Sequence, residues 1–420
     1  MVTTGYRAST ELPTPPRSPA AAGISRRRST WWRWAGLALL AAWAGAWIAE
    51  TYQVGGASWH FFTEGERILT DQTRVEPIDL YAVDPRLQIG PFTFVVSSVL
   101  ALVRLPWESS RTAGALAAQL ACVAVGVFIV YAVRALMTGT RGVPWSQWLA
   151  TDRRRLLLAV AAFVPPWAYL ADFSVHLDDV LALGLGVAAL WAARVDRPVL
   201  SGVLVGLAAA SKPWALPFVA FALLVPTWRR RALAAGVAGA VTAAAWLPFV
   251  IGSPGTTHAM QFKIVNTAMS GLRALGVLAS ATPPWDRPLQ ILLGFAVAAF
   301  LIHRGRWELA LLGVMAVRLA LDPGTNRYYT AGLAVGALIA DGVGRRGLVP
   351  WWTLAVLGPL HLARLARELN PLHGYLLVAL AVAVVGVGLL RPRGPAPRPA
   401  TISWTHPPNQ KVAACPSTKA

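Results

Sequence analysis

The sequence predicts an all-α protein: a polytopic membrane helical bundle of about 12 crossings, with 11 to 13 left open. Hydrophobic residues make up 55% of the 420-residue chain and charged residues only 14%, against about 25% charged in ordinary globular chains. The 19 tryptophans suit a protein with two membrane–water interfaces, where indole rings settle. Apolar stretches near membrane-crossing length recur along the chain and are separated by charged turns.

Two polar tails enclose the predicted transmembrane domain. Residues 1–30 and 391–420 are rich in Pro and polar side chains, and we expect both to be disordered and cytoplasmic. The segment 31–50 has no small-residue cleavage site after it, which indicates an uncleaved first span. The transmembrane domain covers residues 31–390. Its apolar segments are 31–50, 90–104, 113–134, 156–171, 175–194, 198–211, 214–228, 232–252, 288–302, 307–321, 328–343, 348–365 and 374–390.

Loop charge predicts which ends of these segments face the cytoplasm. The arginine-rich turns at 194–197, 229–231, 303–306 and 345–346 are all predicted to be cytoplasmic. Arg153-Arg154-Arg155 is predicted to be cytoplasmic as well, which requires an odd number of crossings before residue 175. Four apolar segments precede that residue, so either one of them is re-entrant or the charge rule fails there.

Short segments predict a hairpin in the middle of the chain. Segments 198–211 and 214–228 are each about 21 Å of helix, and both outer ends are predicted to be cytoplasmic. They must meet at an external tip, Ser211-Lys212-Pro213, where Lys212 could meet a lipid phosphate. A snorkelling interfacial lysine is the alternative interpretation. The same counting places residues 322–329 at a second external tip.

Several function classes lack their starting residues. The arginine runs punctuate apolar segments and form no basic stripe, so we expect no nucleic-acid partner. Cys122 and Cys415 give neither a disulfide framework nor a metal-binding spacing. The sequence contains no CxxC, HExxH, GxxxxGK[ST] or GxSxG motif.

Six of the 19 carboxylates fall between residues 64 and 84, within a long first external loop predicted at residues 51–89. Loops of this length are usually functional or disordered. The run Ser58–Glu66 interleaves aromatic and polar residues, which favours a helix lying at the membrane surface. His60 and Glu64 would share one face of that helix. A solvated charged loop is the alternative.

Asp178 and Asp179 open a predicted span beside His176. Carboxylates at a helix N-terminus satisfy free N–H groups, which is one interpretation. Ionisable groups near membrane depth are otherwise functional candidates, and these lie opposite the Lys212 tip. Arg327 is predicted either to bind a ligand or to position Tyr328.

Five stretches together resemble the polyprenyl-phosphate-sugar-dependent membrane glycosyltransferases of the GT-C superfamily, most closely the actinobacterial mannosyltransferase-like family. The resemblance covers about residues 31–345 and rests on the order of the stretches SWHFFTEGERIL, LYAVDPRLQIGP, VHLDDVLAL, GLAAASKPWALP and DPGTNRYYTAGL. It implies inverting transfer of a sugar, most commonly mannose, from a lipid-phosphate donor to a lipid, glycan or protein hydroxyl on the external face of the plasma membrane.

The resemblance also implies a general base, usually an Asp just before the Trp-His-Phe-Phe stretch. That position holds Ser58 here, so either another carboxylate serves or the chain is a divergent, inactive member. Sugar transfer needs a carboxylate for the hydroxyl proton and a cation for the departing phosphate. The candidate bases are Glu64 first, with Asp178, Asp79, Asp84 and Asp179 after it. The candidate phosphate ligands are Lys212 and Arg327, and the candidate substrate-binding residues are His60, His176 and Tyr328.

The candidate site residues and the resemblance also indicate which partners to expect, and they leave two other functions open. The expected partners are membrane lipids, a polyprenyl-phosphate sugar as co-substrate, and a glycolipid or glycan acceptor. No residue is assigned to a metal, and a need for a divalent ion stays open. A secondary transporter or lipid flippase is the alternative, although such proteins use inverted repeats and a midplane site. A scaffolding membrane protein is the third hypothesis.

Overall fold

The computed structural model describes residue 56 and residues 58–70, 73–103, 105–106, 109–141, 150–259, 261–344, 349–365 and 370–390. Both predicted tails and the predicted first span, residues 31–50, lie outside these ranges. All described residues belong to one compact unit, Trp47–Ala420. Within them the secondary structure is helical apart from one isolated antiparallel bridge, between Val265 and Ala281. The predicted all-α class is confirmed.

Twelve α-helices longer than one turn form the described part of the bundle. They are α1 Trp59–Leu69, α2 Pro91–Ala101, α3 Ser110–Arg141, α4 Ala150–Ala168, α5 Leu177–Arg194, α6 Pro198–Ser211, α7 Trp228–Gly252, α8 Asp286–His303, α9 Ala310–Leu321, α10 Thr330–Gly344, α11 Trp351–Leu365 and α12 Asn370–Leu390.

Among the described residues, five stretches of helix are long and apolar enough to cross a membrane. They are Thr112–Thr138, Arg153–Phe173, Trp228–Gly252, Asp286–His303 and Pro371–Leu390. The chain is therefore a membrane protein by length and composition of its helices. Other helices are short: α6 has 14 residues, about 21 Å against a hydrocarbon core of about 30 Å. The count of 12 crossings stays a prediction.

The arginine-bearing turns gather at one end of the bundle, which we name the arginine end. The guanidinium of Arg155 donates to the carbonyl oxygen of Gly342 at 3.1 Å. The guanidinium carbon of Arg194 lies 4.7 Å from the centre of the Trp307 ring, and the Trp307 turn contacts α10. Turns that the charge pattern assigns to one side thus share one end of the structure.

The opposite end, named the site end, is formed by Ser58, Ser174, Ser211 and their neighbours. The N–H of Ser58 donates to the carbonyl of Ser174 at 3.0 Å, and the N–H of Gly90 donates to the carbonyl of Ser211 at 2.8 Å. The first loop therefore packs on the ends of α4 and α6.

Helix α2 accounts for the difficulty in counting crossings before residue 175. Its first turn follows Gly90, beside Ser211, and its last residue, Ala101, packs against Gly114 and the Trp59 ring. Both ends of α2 thus lie at the site end, and its 11 residues are only about 16 Å long. This geometry favours the re-entrant interpretation of segment 90–104.

The hairpin with its tip at Ser211-Lys212-Pro213 is confirmed, but its second arm differs from an α-helix. Residues Pro213–Leu224 form a 3-10 helix of 12 residues, unusually long for that winding. Pro217, inside the arm, lacks the N–H group that an α-helix would use, whereas Pro213 stands at the first position, where a helix tolerates proline. At about 2.0 Å per residue the arm is roughly 24 Å long, so it is at least as long as α6 although it has two fewer residues.

Candidate functional site

A change of winding at the end of α4 brings His176 to the site end. Pro165 and Pro166 lie inside α4, and Tyr169–Phe173 continue it as one wide turn of π-helix. Such turns are frequent at functional sites. The N–H of His176 donates to the carbonyl of Leu170 at 3.2 Å, so the chain turns back before α5 begins. His176 is the residue that caps the start of α5.

Ser58 reaches His176 because Gly56 allows a close approach of two backbones. Gly56 has φ +72°, and a Cβ there would lie 2.2 Å from Cγ2 of Val175, so glycine is required. Two residues later, the hydroxyl of Ser58 lies 2.8 Å from Nε2 of His176. Ser58 is 5% exposed. The residue that stands where the resembled family has Asp is therefore inside the site.

Asp178 lies at the centre of the cluster, buried in the first turn of α5. Its Oδ1 accepts from the N–H of Asp179 at 2.9 Å and lies 3.6 Å from Nδ1 of His176. Its Oδ2 accepts from the ammonium of Lys212. The predicted meeting of His176, the two aspartates and the Lys212 tip is confirmed.

Lys212 has an extended backbone between the two hairpin arms, with φ −151° and ψ 121°. This conformation turns its side chain toward Asp178 instead of along the helix. Burial lowers the pKa of Lys212, but the carboxylates of Asp178 and Asp179 raise it by more, so the pKa is above its usual value. The site therefore holds a fixed ammonium.

Asp179 joins the cluster to a set of aromatic rings. Its Oδ1 accepts from Nε1 of Trp214 at 2.7 Å. The guanidinium carbon of Arg318 lies 4.6 Å from the centre of the Trp214 ring and 5.0 Å from that of Tyr329. Arg318 also lies 3.9 Å from Oδ2 of Asp322. A second cation is thus held beside the first by stacking on two rings.

The second predicted tip supplies Tyr328. Its ring stacks on the imidazole of His176, with centroids 3.8 Å apart and planes 28° apart. The stacking fixes the plane of the imidazole. Arg327, the neighbouring predicted phosphate ligand, is exposed in the same turn, and its role stays a prediction.

A narrow cleft opens beside the charged cluster. Helix α5 contributes one polar and one apolar residue to its wall, and so does α9, so the cleft lies between elements of the bundle. It is lined by Asp179, Trp214, Arg318, Tyr328 and Tyr329 and by Leu170, Leu183, Met315 and Gly332. The cleft combines ring faces, one carboxylate and one guanidinium.

The acids of the first loop form a separate group around Arg86. The guanidinium of Arg86 donates to both oxygens of Asp84, at 2.8 and 2.7 Å, and to Glu64 at 3.3 Å. Arg86 lowers the pKa of Asp84, which weakens this carboxylate as a base. Within the described ranges, no hydrogen bond or ion pair joins this group to Asp178. The base role of Glu64 therefore stays a prediction without geometric support.

The two remaining candidates of the first loop lie at its surface. His60 is exposed on α1 and stacks on Phe61, with ring centroids 3.9 Å apart. Asp79 is half-buried in the turn Pro77–Asp79. The run predicted to form a surface helix is helical, as α1, and its position at the membrane surface stays a prediction.

His176, Asp178 and Asp179 offer ligand atoms within 4.8 Å of one another. Such nitrogen and oxygen donors can bind a divalent cation. Asp178 is already bound by the Lys212 ammonium, and Asp179 by Trp214. Since a protein cation balances the charge, we assign no metal to these residues.

Trp214 and Arg318 belong to the site but are not singled out by the sequence as its members, and Ser58 is singled out only as the position where the resembled family has its base. Arg318 did carry a signal, because it is an isolated arginine in an apolar segment. Comparisons with protein-family models, curated proteins and solved structures give no match to this chain. The site must therefore be interpreted from its own chemistry.

Proposed function

We propose that the protein is a glycosyltransferase of the plasma membrane that moves a sugar from a polyprenyl-phosphate donor to a lipid or glycan hydroxyl, with inversion. The observation that carries the proposal is the cluster of Ser58, His176, Asp178 and Lys212, which comes from three distant parts of the chain. It offers proton acceptors and a cation side by side, at one end of a bundle of apolar helices.

The cations support a role in stabilising the departing phosphate. A leaving lipid phosphate gains charge as its bond to the sugar breaks, and a preorganised cation lowers that barrier. Lys212 is held in place by Asp178, and Arg318 stacks on Trp214, two residues after Lys212 in the chain. The phosphate of a membrane-bound polyprenyl donor lies at the headgroup level, which the hairpin tip can reach.

The residues that line the cleft beside Asp179 are of kinds that recognise sugars, although the cleft itself has space for little more than a water molecule. Ligand sites typically combine apolar and aromatic walls with a few convergent polar groups. Trp214, Tyr328 and Tyr329 supply rings, and Asp179 and Arg318 supply hydrogen-bonding groups. The resemblance to the mannosyltransferase-like family favours mannose as the sugar.

The charge pattern supports an external site. Arginine-rich turns are retained in the cytoplasm, and the arginine end lies opposite Ser58, His176 and Lys212. A transporter or flippase would instead place its polar groups near the bundle midplane. The cluster lies where α5 starts and α6 ends, which favours transfer over transport.

The test is transfer by the purified protein in lipid nanodiscs, with a panel of labelled decaprenyl-phosphate sugars and a membrane-glycolipid acceptor fraction. We expect one donor sugar to be incorporated, with the anomeric configuration inverted in the product. Failure with every donor, by protein that elutes as one folded species, would contradict the proposal. It would favour a non-catalytic member of the fold.

A further inference from the structure

Ser58 and Asp178 lie on the two nitrogens of His176, with the hydroxyl 2.8 Å from Nε2 and the carboxylate 3.6 Å from Nδ1. We propose that Ser58 and His176 form a proton relay that takes the place of a carboxylate base. This inference rests on the proposed sugar transfer. In it, Ser58 contacts the acceptor hydroxyl and His176 receives the proton through Ser58.

The surroundings select the tautomer that the relay needs. The Asp178 carboxylate on the Nδ1 side favours a proton on Nδ1, as a partner on one ring nitrogen sets the role of the other. Nε2 is then left with a lone pair, which accepts the Ser58 hydroxyl proton. Tyr328 holds the ring plane by stacking, and the Ser58 N–H is held by Ser174.

The neighbouring carboxylates are less suited to act directly. Asp178 is 1% exposed, and its oxygens are engaged by Lys212 and by the N–H of Asp179. Asp179 is 4% exposed and accepts from Trp214. Ser58 is buried too, at 5% exposed, so burial does not distinguish it from the carboxylates. The difference is in the contacts: the described partner of its hydroxyl is His176, whose side chain is 16% exposed, and no cation engages it within the described ranges.

The step balances without another reactant. The acceptor oxygen forms a bond to the anomeric carbon, and the bond from that carbon to the phosphate oxygen breaks with its electron pair on the phosphate. The acceptor proton passes to Oγ of Ser58 while the Ser58 proton passes to Nε2 of His176. The resulting imidazolium faces Asp178, and it returns its proton to water or phosphate when the products leave.

The relay predicts specific kinetics for the reconstituted protein, measured with the donor sugar that the panel assay selects. Ser58→Ala and His176→Gln should each lower kcat by roughly 10²-fold or more, with an unchanged KM for the donor. The double variant should be no slower than the worse single variant, because both residues serve one proton transfer. His303→Gln, an exposed histidine at the arginine end, should behave as wild type.

A variant that does not need His176 distinguishes loss of the relay from loss of folding. Ser58→Asp places a carboxylate where it can take the proton itself, so it should retain transfer, and adding His176→Gln to it should then have no effect on kcat. His176→Gln with wild-type turnover, or multiplying losses in the double variant, would overturn the relay alone. Labelling of Ser58 by a fluorophosphonate would also overturn it, since the serine would then be a nucleophile. A wild-type protein without transfer would instead remove the proposed function itself.

Discussion

The ammonium of Lys212, at a hairpin tip, lies directly against the buried carboxylate of Asp178 in the first turn of α5. The Asp178 side chain is 1% exposed and the Lys212 side chain 18%. Removing one partner of such a pair leaves an uncompensated buried charge, which is strongly destabilising. The pair therefore couples the stability of the site end to the position of the proposed phosphate ligand.

Lys212→Ala should abolish transfer and lower the stability of the protein, by an amount on the order of 3 kcal/mol. Combining it with Asp178→Asn should restore much of the thermal midpoint but none of the transfer. The measurements are thermal unfolding and donor turnover in nanodiscs. The exposed Lys263→Ala is the matched control and should change neither. Normal transfer by Lys212→Ala would remove its phosphate role.

Glu64→Gln distinguishes the two candidate bases. Glu64 pairs with an exposed Arg86 and has no described contact with the His176 group, so we expect wild-type turnover. The measurement is kcat and donor KM for this variant beside His176→Gln. A large loss of kcat with unchanged KM in Glu64→Gln would return the role of base to Glu64.

Gly56→Ala should lower both stability and transfer, because a methyl group would overlap Val175 and move Ser58 away from His176. The matched control is Gly276→Ala. Gly276 also has positive φ, at +85°, but has open space around its Cβ position. Both variants carry backbone strain of about 1–2 kcal/mol, so only the difference between them reports the contact. Equal transfer by the two variants would contradict the proposed positioning of Ser58.

Asp84→Asn tests the electrostatics of the first loop. Arg86 depresses the pKa of Asp84, so the stabilisation is present above the ordinary Asp pKa of about 3.9. It is lost as the pH falls through the lower folded value. The thermal midpoint of wild type should exceed that of Asp84→Asn near neutral pH, and the gap should close below about pH 4. A gap that persists in acid would show that Arg86 is not its cause.

Cysteine labelling tests the sidedness of the bundle. In a background with Cys415 replaced, Lys263→Cys should react with an impermeant maleimide on intact cells. Trp228→Cys, at the arginine end and 72% exposed, should react only after permeabilisation. Cys122 is buried and should stay silent. Labelling of both positions from the same side would exclude the external site.

Charge placement and segment length predicted much of the site. The hairpin tip at Lys212 and the start of α5 at Asp178 follow from where short apolar segments must turn, so their meeting could be expected. The contact between Ser58 and His176 joins residues 118 apart. It depends on the positive φ of Gly56 and the π-helical turn before His176, and neither is visible in the pattern of apolar residues.

Local backbone chemistry accounts for the other differences. Pro217 could have indicated that the second hairpin arm is not an ordinary α-helix, since it removes a hydrogen-bond donor inside the arm. By hydropathy alone, segment 90–104 would be predicted to cross the membrane. Hydropathy measures how apolar a segment is but not the direction in which it runs, so the path of α2 appears only in its contacts with Ser211 and Gly114.

The 3-10 winding makes the arm Pro213–Leu224 longer than the same residues would be as an α-helix. Wound as an α-helix, its 12 residues would be about 6 Å shorter. The Lys212 ammonium, at one end of this arm, would then lie about 6 Å closer to the Trp228 turn, which follows the other end. The distance between the positive charge of Lys212 and the Trp228 turn is thus determined by the pitch of a single segment, so substitutions far from Lys212 can change it.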